Sequence, residues 1–308
     1  MNKTSDFSKK AGRLEFSRAV AEEGIVLLKN DNNLLPLKEK KLAIFGASQL
    51  NEQIANEGVK IDTENSKGIT EAILQKGFKI DEHLYKSYIV WKKKYVQRAY
   101  GEWLNAHFWP EMDITHEMVI DTRNRGADVA VIVITRASYE NSDMENEIGD
   151  YILSETETDM IKNVCSVYDD VILVLHIGCS IDFGFLDDYK INGIIYLNHP
   201  GVNGNLALAD IMSGDINPSG KLTVTLAKHF KDYPSSANFG QHGGGLLQDD
   251  TSRRSLLYYS TMMLLGKKLC GHLYVYANGV GNVKRSGHMR RALIEADRVS
   301  VRDDTSAA

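Results

Sequence analysis

The chain has 308 residues, 43% of them apolar and 25% charged, enough to bury one large core or two ordinary ones. A net charge of −5 argues against a nucleic-acid binder, which concentrates positive charge against backbone phosphates. No apolar run reaches the roughly 18–20 residues of a transmembrane helix, and the polar start MNKTSDFSKK lacks the apolar core of a signal peptide, so a cytoplasmic protein with no membrane partner is expected.

In chain order, Ser8 to Glu23 predicts a helix, with Phe16 and Val20 one turn apart. Ile25 to Leu28 is β-prone, Asp31-Asn32-Asn33 makes a turn, and KLAIFG (41–46) reads as a first core strand. Ile69 to Lys76 predicts a helix stopped by Gly77, followed by a short strand through Phe78 and Ile80. A Tyr/Lys-rich helix is expected over 82–100, then a loop carrying Trp103, Phe108 and Trp109, then a helix over 113–125.

The second half has a clearer pattern. Val129–Ile134 is a continuous apolar run, as expected of a strand covered on both faces. Ser154 and Glu157 stand in capping-box spacing at the start of a helix that runs to about Val167. Val171–Ile177 and Ile194–Leu197 follow as strands, with a helical turn over 183–186 between them; Leu206–Met212 is a short helix and Lys221–Leu226 reads as a final strand. Strands alternating with helices predict an α/β layered sandwich: a five- or six-stranded, mostly parallel sheet covered by helices on both faces. The boundary falls near 240, giving a sandwich domain over 1–240 and an atypical tail over 241–308. Residues 249–308 carry 10 Lys/Arg against 6 Asp/Glu, reversing the charge balance, and neither strand nor helix period persists there. A poorly specified tail from a truncated or frame-shifted gene product is expected.

The stretch ADVAVIVITRASYENSD (127–143) joins the apolar strand to a loop with Glu140 and Asp143. A carboxylic acid at such a loop tip can protonate a leaving-group oxygen; the same residues also fit a solvated acidic loop. Arg136 either binds a substrate hydroxyl or carboxylate or forms a structural ion pair. His176 and His199 lie at strand ends, where hydrogen-bonded structural histidines are the simpler expectation. Asp182 is placed to cap the turn at 183–186. The PGVNGN loop (200–205) asks for backbone freedom and matches no phosphate-loop pattern. Trp103 and Trp109 can stack on a sugar ring or pin the loop to the surface. Cys165, Cys179 and Cys270 are odd in number and far apart, which suggests a reducing compartment and no disulfide framework. With no CxxC or HExxH spacing, neither a metal nor another cofactor is expected.

Several separated motifs carry a family resemblance. AEEGIVLLKNDNNLLPL (21–37), KLAIFG (41–46), GDYILSETETDMI (149–161), PGVNGNLALADIMSGDINPSGKLTVTLAK (200–228) and DYPSSANFG (232–240) together resemble the α/β-sandwich domain of the family 3 glycoside hydrolases, the β-glucosidase and β-xylosidase family. The start and the Trp103–Trp109 stretch are most similar to the subgroup in which the sandwich precedes the barrel domain. The resemblance implies an active site between sandwich and barrel, with the barrel supplying an aspartate nucleophile. The sandwich supplies the acid/base glutamate in a loop written R-x-(S/A)-G-E-x-x-D. Here that loop reads Arg136-Ala137-Ser138-Tyr139-Glu140-Asn141-Ser142-Asp143, so the resemblance makes Glu140 the acid/base and Asp143 the family aspartate, with Tyr139 in place of the usual glycine. Arg136, Asp143, Trp103 and Trp109 are the expected substrate contacts. No residue corresponds to the nucleophile.

The implied function is hydrolysis of O-glycosidic bonds by a β-glucosidase-like enzyme of which this chain is a fragment, inactive by itself. The expected partners are a glycoside substrate and a barrel domain or a second copy of the chain. The alternative is a non-catalytic carbohydrate- or partner-binding module.

Overall fold

The structure, a computed structural model, describes residues 10–50, 67–99, 110–136, 144–233, 253–278 and 287–301. Its described residues fall into two compact units, 10–233 and 253–301. The first contains helix α1 (Lys10–Gly24), strands β1 (Val26–Asn30) and β2 (Lys41–Phe45), helix α2 (Ile69–Gln75), strand β3 (Lys79–Ile80), and helices α3 (Glu82–Ala99) and α4 (His116–Asn124). It continues with strand β4 (Val129–Arg136), helix α5 (Glu155–Val167), strands β5 (Val171–Ile177) and β6 (Gly193–Tyr196), and helix α6 (Gly204–Ser213).

The six strands form one sheet in the order β1-β6-β5-β4-β2-β3. β1 runs antiparallel to β6; every other pairing is parallel. The expected mostly parallel sheet is therefore present, and its sixth strand is the short edge β3. β4 and β5 are central and buried along their whole length, which is why both read as unbroken apolar runs. Their side chains alternate between two cores. Val129, Val131 and Val133 pack with Ile69, Ile73, Leu208 and Ile211 beneath α2 and α6. Ala130, Ile132 and Ile134 pack with Leu84, Val119, Met160 and Val164 beneath α3, α4 and α5. Each fully buried aliphatic side chain on these strands contributes about 1.5–3 kcal/mol.

The capping box at the start of α5 forms as expected. Ser154 Oγ accepts from Glu157 N at 3.2 Å, and Glu157 Oε2 accepts from Ser154 N at 2.8 Å. Asp182 caps its turn by accepting from Gly184 N at 2.7 Å. Lys221–Leu226, expected as a strand, is not one. Of its alternating Leu222, Val224 and Leu226, the first two are exposed and Leu226 alone packs against the core beneath α3, α4 and α5. The chain reaches this segment beside the start of β1, where a Cβ on Gly220 would meet Ile25 O at 2.4 Å, but no ladder forms.

The second unit holds helix α7 (Arg253–Cys270), strand β7 (Tyr274–Asn278), helix α8 (Gly287–Ile294) and strand β8 (Arg298–Val301). The two strands pair in parallel, as strands linked through a helix do. Leu256 on α7 and Met289 on α8 form a small core with Met263, Leu273 and Leu293 around it. Asp297 closes the β-end of the unit by accepting from Lys267 Nζ and from Leu273 N, each at 2.7 Å. Among the described residues no helix is long and apolar enough to cross a membrane.

Candidate active site

In an open parallel sheet, ligands bind beyond the carboxyl ends of the strands where the chain reverses its direction of travel across the sheet. Here β3 lies on one side of β2 and β4 on the other, so that point is the crevice between the ends of β2 and β4. β2 is followed at once by Gly46, with φ +107°, and a Cβ there would sit 2.3 Å from Val133 O. Only glycine lets the two strand ends approach this closely.

β4 ends at Arg136, whose side chain is fully buried on the α5 side of the sheet. Its guanidinium donates to both oxygens of Glu157, NH1 to Oε1 at 2.7 Å and NH2 to Oε2 at 2.9 Å. NH1 also donates to Thr135 O at 2.7 Å and Nε to Asp150 O at 2.6 Å. Of the two readings left open for Arg136, the ion pair is the one formed. It is bidentate and surrounded by further hydrogen bonds, the geometry that a buried charge pair requires.

Asp150 does more than accept from Arg136. Its Oδ2 accepts from Glu145 N at 2.6 Å. Arg136 and Glu145, on either side of residues 137–144, are therefore both held by Asp150. Glu140 and Asp143 lie in that segment, outside the described residues, as do Trp103 and Trp109.

A second carboxyl at the crevice escaped the sequence reading. Glu111 follows Pro110, just after the Trp103–Trp109 stretch. Its Oε2 accepts from Ala47 N and its Oε1 from Met112 N, each at 2.8 Å. Beside it the buried Tyr88 hydroxyl accepts from Gly46 N at 2.8 Å. Although Glu111 as a residue is only half-buried, its carboxyl is enclosed. Burial raises that carboxyl from 4.5 to about 8, assisted by the negative charge of Glu157 and opposed by the two backbone donors. An acid placed directly after Trp109-Pro110 and before Met112 was the available sequence signal.

His176 and His199 meet edge to face with ring centroids 6.0 Å apart. The expectation of hydrogen-bonded structural histidines fails at three nitrogens: His176 Nδ1 and both ring nitrogens of His199 are buried without a hydrogen-bond partner. Burial, with His199 as neighbour, lowers His176 from 6.5 to about 3, and burial also lowers His199. Both rings are therefore neutral at neutral pH. Among the described residues no three His, Cys, Asp or Glu side chains converge as a metal site.

Residues 25–281 match the glycosyl hydrolase family 3 C-terminal domain. The chain belongs to that family. It is 29% identical over 233 residues to a β-glucosidase of Ruminococcus albus, covering 73% of this chain and 24% of that protein. It is equally identical over 251 residues to β-glucosidase A of Butyrivibrio fibrisolvens, covering 73% of this chain and 30% of that one. Among solved structures, β-glucosidase 3B from Thermotoga neapolitana in complex with glucose superposes with a TM-score of 0.68 at 30% identity, over 83% of this chain and 36% of that chain. A β-glucosidase from Paenibacillus barengoltzii gives the same score and identity over 74% of this chain and 26% of that one. This family 3 domain thus spans about a quarter to a third of the proteins it matches.

Proposed function

We propose that this domain supplies the acid/base half of a retaining β-glucosidase-like active site, with Glu140 as the proton donor and a barrel domain as the source of the aspartate nucleophile. Family membership supports the reaction class. The observation that bears most on the site is that Arg136 and Glu145, which flank Glu140 in the chain, are both held by Asp150, with Arg136 at the switch point of the sheet. A general acid must be held within a fraction of an ångström of its leaving-group oxygen, and fixed residues on both sides of it in the chain serve that need.

In the first step Glu140 protonates the glycosidic oxygen while the barrel aspartate attacks the anomeric carbon. In the second, Glu140 as carboxylate takes a proton from water as that water displaces the enzyme aspartate. The two carboxyl groups need a separation of about 5 Å across the scissile bond. Asp143, Trp103 and Trp109 contact the sugar, while Arg136 acts through Glu157 and Asp150 as a positioning residue. With no nucleophile of its own, the chain by itself does not turn over glycosides.

The test is hydrolysis of a panel of aryl β-glycosides by the chain alone and by the chain mixed with a separately expressed family 3 barrel domain, each with a Glu140→Gln counterpart. Activity is expected only in the mixture, with about a 10²–10⁴-fold loss in the variant. The loss should be smallest for the most acidic phenol leaving groups, which need least protonation. Turnover by the chain alone that the variant abolishes would overturn the missing nucleophile. A mixture that is active but indifferent to Glu140→Gln would overturn the assignment of the acid.

A further inference from the structure

On the face of the sheet opposite Arg136 lies a group of side chains that the glycosidase chemistry does not use. Thr135 and His176 are register partners on the adjacent parallel strands β4 and β5. They continue the alternation of Val131, Val133, Ile172 and Val174, so both lie on the α2 and α6 side. His199, just past the end of β6, meets the ring of His176. The turn after β2 brings Ser48 to the same end of the sheet, and its neighbour Gln49 accepts from Thr70 Oγ1 on the first turn of α2 at 2.7 Å. Asn205, on the first turn of α6, donates to Lys67 O at 2.7 Å, two residues before α2 begins. Four consecutive sheet strands and the N-terminus of α6 thus deliver Ser48, Thr135, His176, His199 and Asn205 to one end of one face.

All five carry buried polar atoms without a partner: Ser48 Oγ, Thr135 Oγ1, His176 Nδ1, both ring nitrogens of His199 and Asn205 Oδ1. Four of these residues are over nine-tenths buried, at 3%, 4%, 2% and 4% exposure for Ser48, Thr135, His176 and Asn205. Native interiors leave few such atoms unsatisfied, and each one costs about 1–3 kcal/mol. Six such atoms at one end of one face exceed what a satisfied interior leaves.

The chemistry of a guest there follows from the donors and acceptors. The hydroxyls of Ser48 and Thr135 donate and accept, each neutral imidazole has one donor and one acceptor nitrogen, and Asn205 Oδ1 only accepts. None of the five is charged at neutral pH, since burial disfavours both imidazolium forms. Among these five residues an anion finds no counter-charge, and an ammonium or hard metal ion finds no carboxylate. A group that both donates and accepts, without charge, fits.

We propose that Ser48, Thr135, His176, His199 and Asn205 form a buried binding site for small neutral hydroxyl compounds, filled by ordered water or by a glycol-sized polyol. It lies on the other face of β4 from the Arg136 anchor and stands whether or not Glu140 is the catalytic acid.

The probe is glycerol, titrated into the full chain labelled with ¹⁵N-histidine. The readouts are the ring nitrogen shifts of His176 and His199 and contacts from their ring protons to water. A saturable shift with glycerol assigns the polyol. Unmoved shifts with cross-peaks to long-lived water assign the water. Thr135→Val preserves shape and His176→Phe preserves bulk; in either variant the glycerol midpoint should rise about tenfold or the water cross-peaks vanish. Neither glycerol saturation nor long-lived water at the two rings would overturn the site, as would a response that both variants leave intact.

Discussion

Thr135 and Arg136 are neighbours at the end of one strand, yet they face opposite chemical worlds. On the Arg136 side most polar groups are matched, with Asp150 Oδ1 the buried exception within the network. The guanidinium, Glu157, Asp150 and Ser154 exchange hydrogen bonds among themselves, and Glu111 accepts from two backbone donors. On the Thr135 side, six buried polar atoms have no partner. The contrast separates two uses of a polar strand end: a satisfied network fixes the roots of loops, and an unsatisfied one holds a place for something else.

Breaking the matched side should have the largest effect. Arg136→Met keeps the bulk of the side chain but leaves Glu157 as an uncompensated buried carboxylate. A loss of about 3–5 kcal/mol is expected from chemical denaturation midpoints. Adding Glu157→Met should restore much of it, since an apolar pair of similar volume does not carry the desolvation cost of two ions. A single variant within 1 kcal/mol of the parent would show that the pair is not structurally needed.

The two sides should also fail at opposite ends of the pH scale. Glu111 keeps its proton to about 8 in the folded chain, against 4.5 for the free group. Between those values the folded state binds more protons, so the contribution of Glu111 is present below 4.5 and is lost as pH rises toward 8. His176 is displaced the other way, to about 3 from 6.5. The unfolded chain binds the extra proton in that window, so stability is lost as pH falls from 6.5 toward 3. Each slope amounts to at most a few kcal/mol across its window. Stability measured against pH should lose its alkaline decline in Glu111→Gln and its acid decline in His176→Gln. A Glu111→Gln profile parallel to the parent's between 4.5 and 8 would mean that the two backbone donors outweigh burial at that carboxyl.

What the sequence made legible follows the same division. The central strands were readable because burial on both faces leaves an unbroken apolar run, and the α5 cap because Ser154 and Glu157 sit at a fixed local spacing. Lys221–Leu226 misled because alternation is local, whereas strand pairing needs a partner that only the whole fold can offer. Glu111 was missed because its partners, Ala47 and Tyr88, come from distant stretches of chain. Glu157 was legible as a cap and silent as the partner of Arg136. The unpaired cluster had no sequence signature, since its five members come from the ends of five different elements.

The smallest effect is also the sharpest probe of the comparison, because it uses one residue type in two settings. Thr122 and Thr135 are both buried threonines. Thr122 Oγ1 donates to Val119 O at 2.7 Å and lies 2.6 Å from the Tyr168 hydroxyl. Replacing it with valine strips a buried hydroxyl of its partner and should cost about 1–3 kcal/mol. Thr135 Oγ1 has no protein partner to strand, and valine preserves its shape and β-branching. Thr135→Val should therefore change stability by less than about 1 kcal/mol in either direction while weakening whatever occupies the site. Equal losses for the two variants, read as denaturation midpoints at unchanged slope, would mean that Thr135 is structurally paired and that the two faces of β4 are not different in kind.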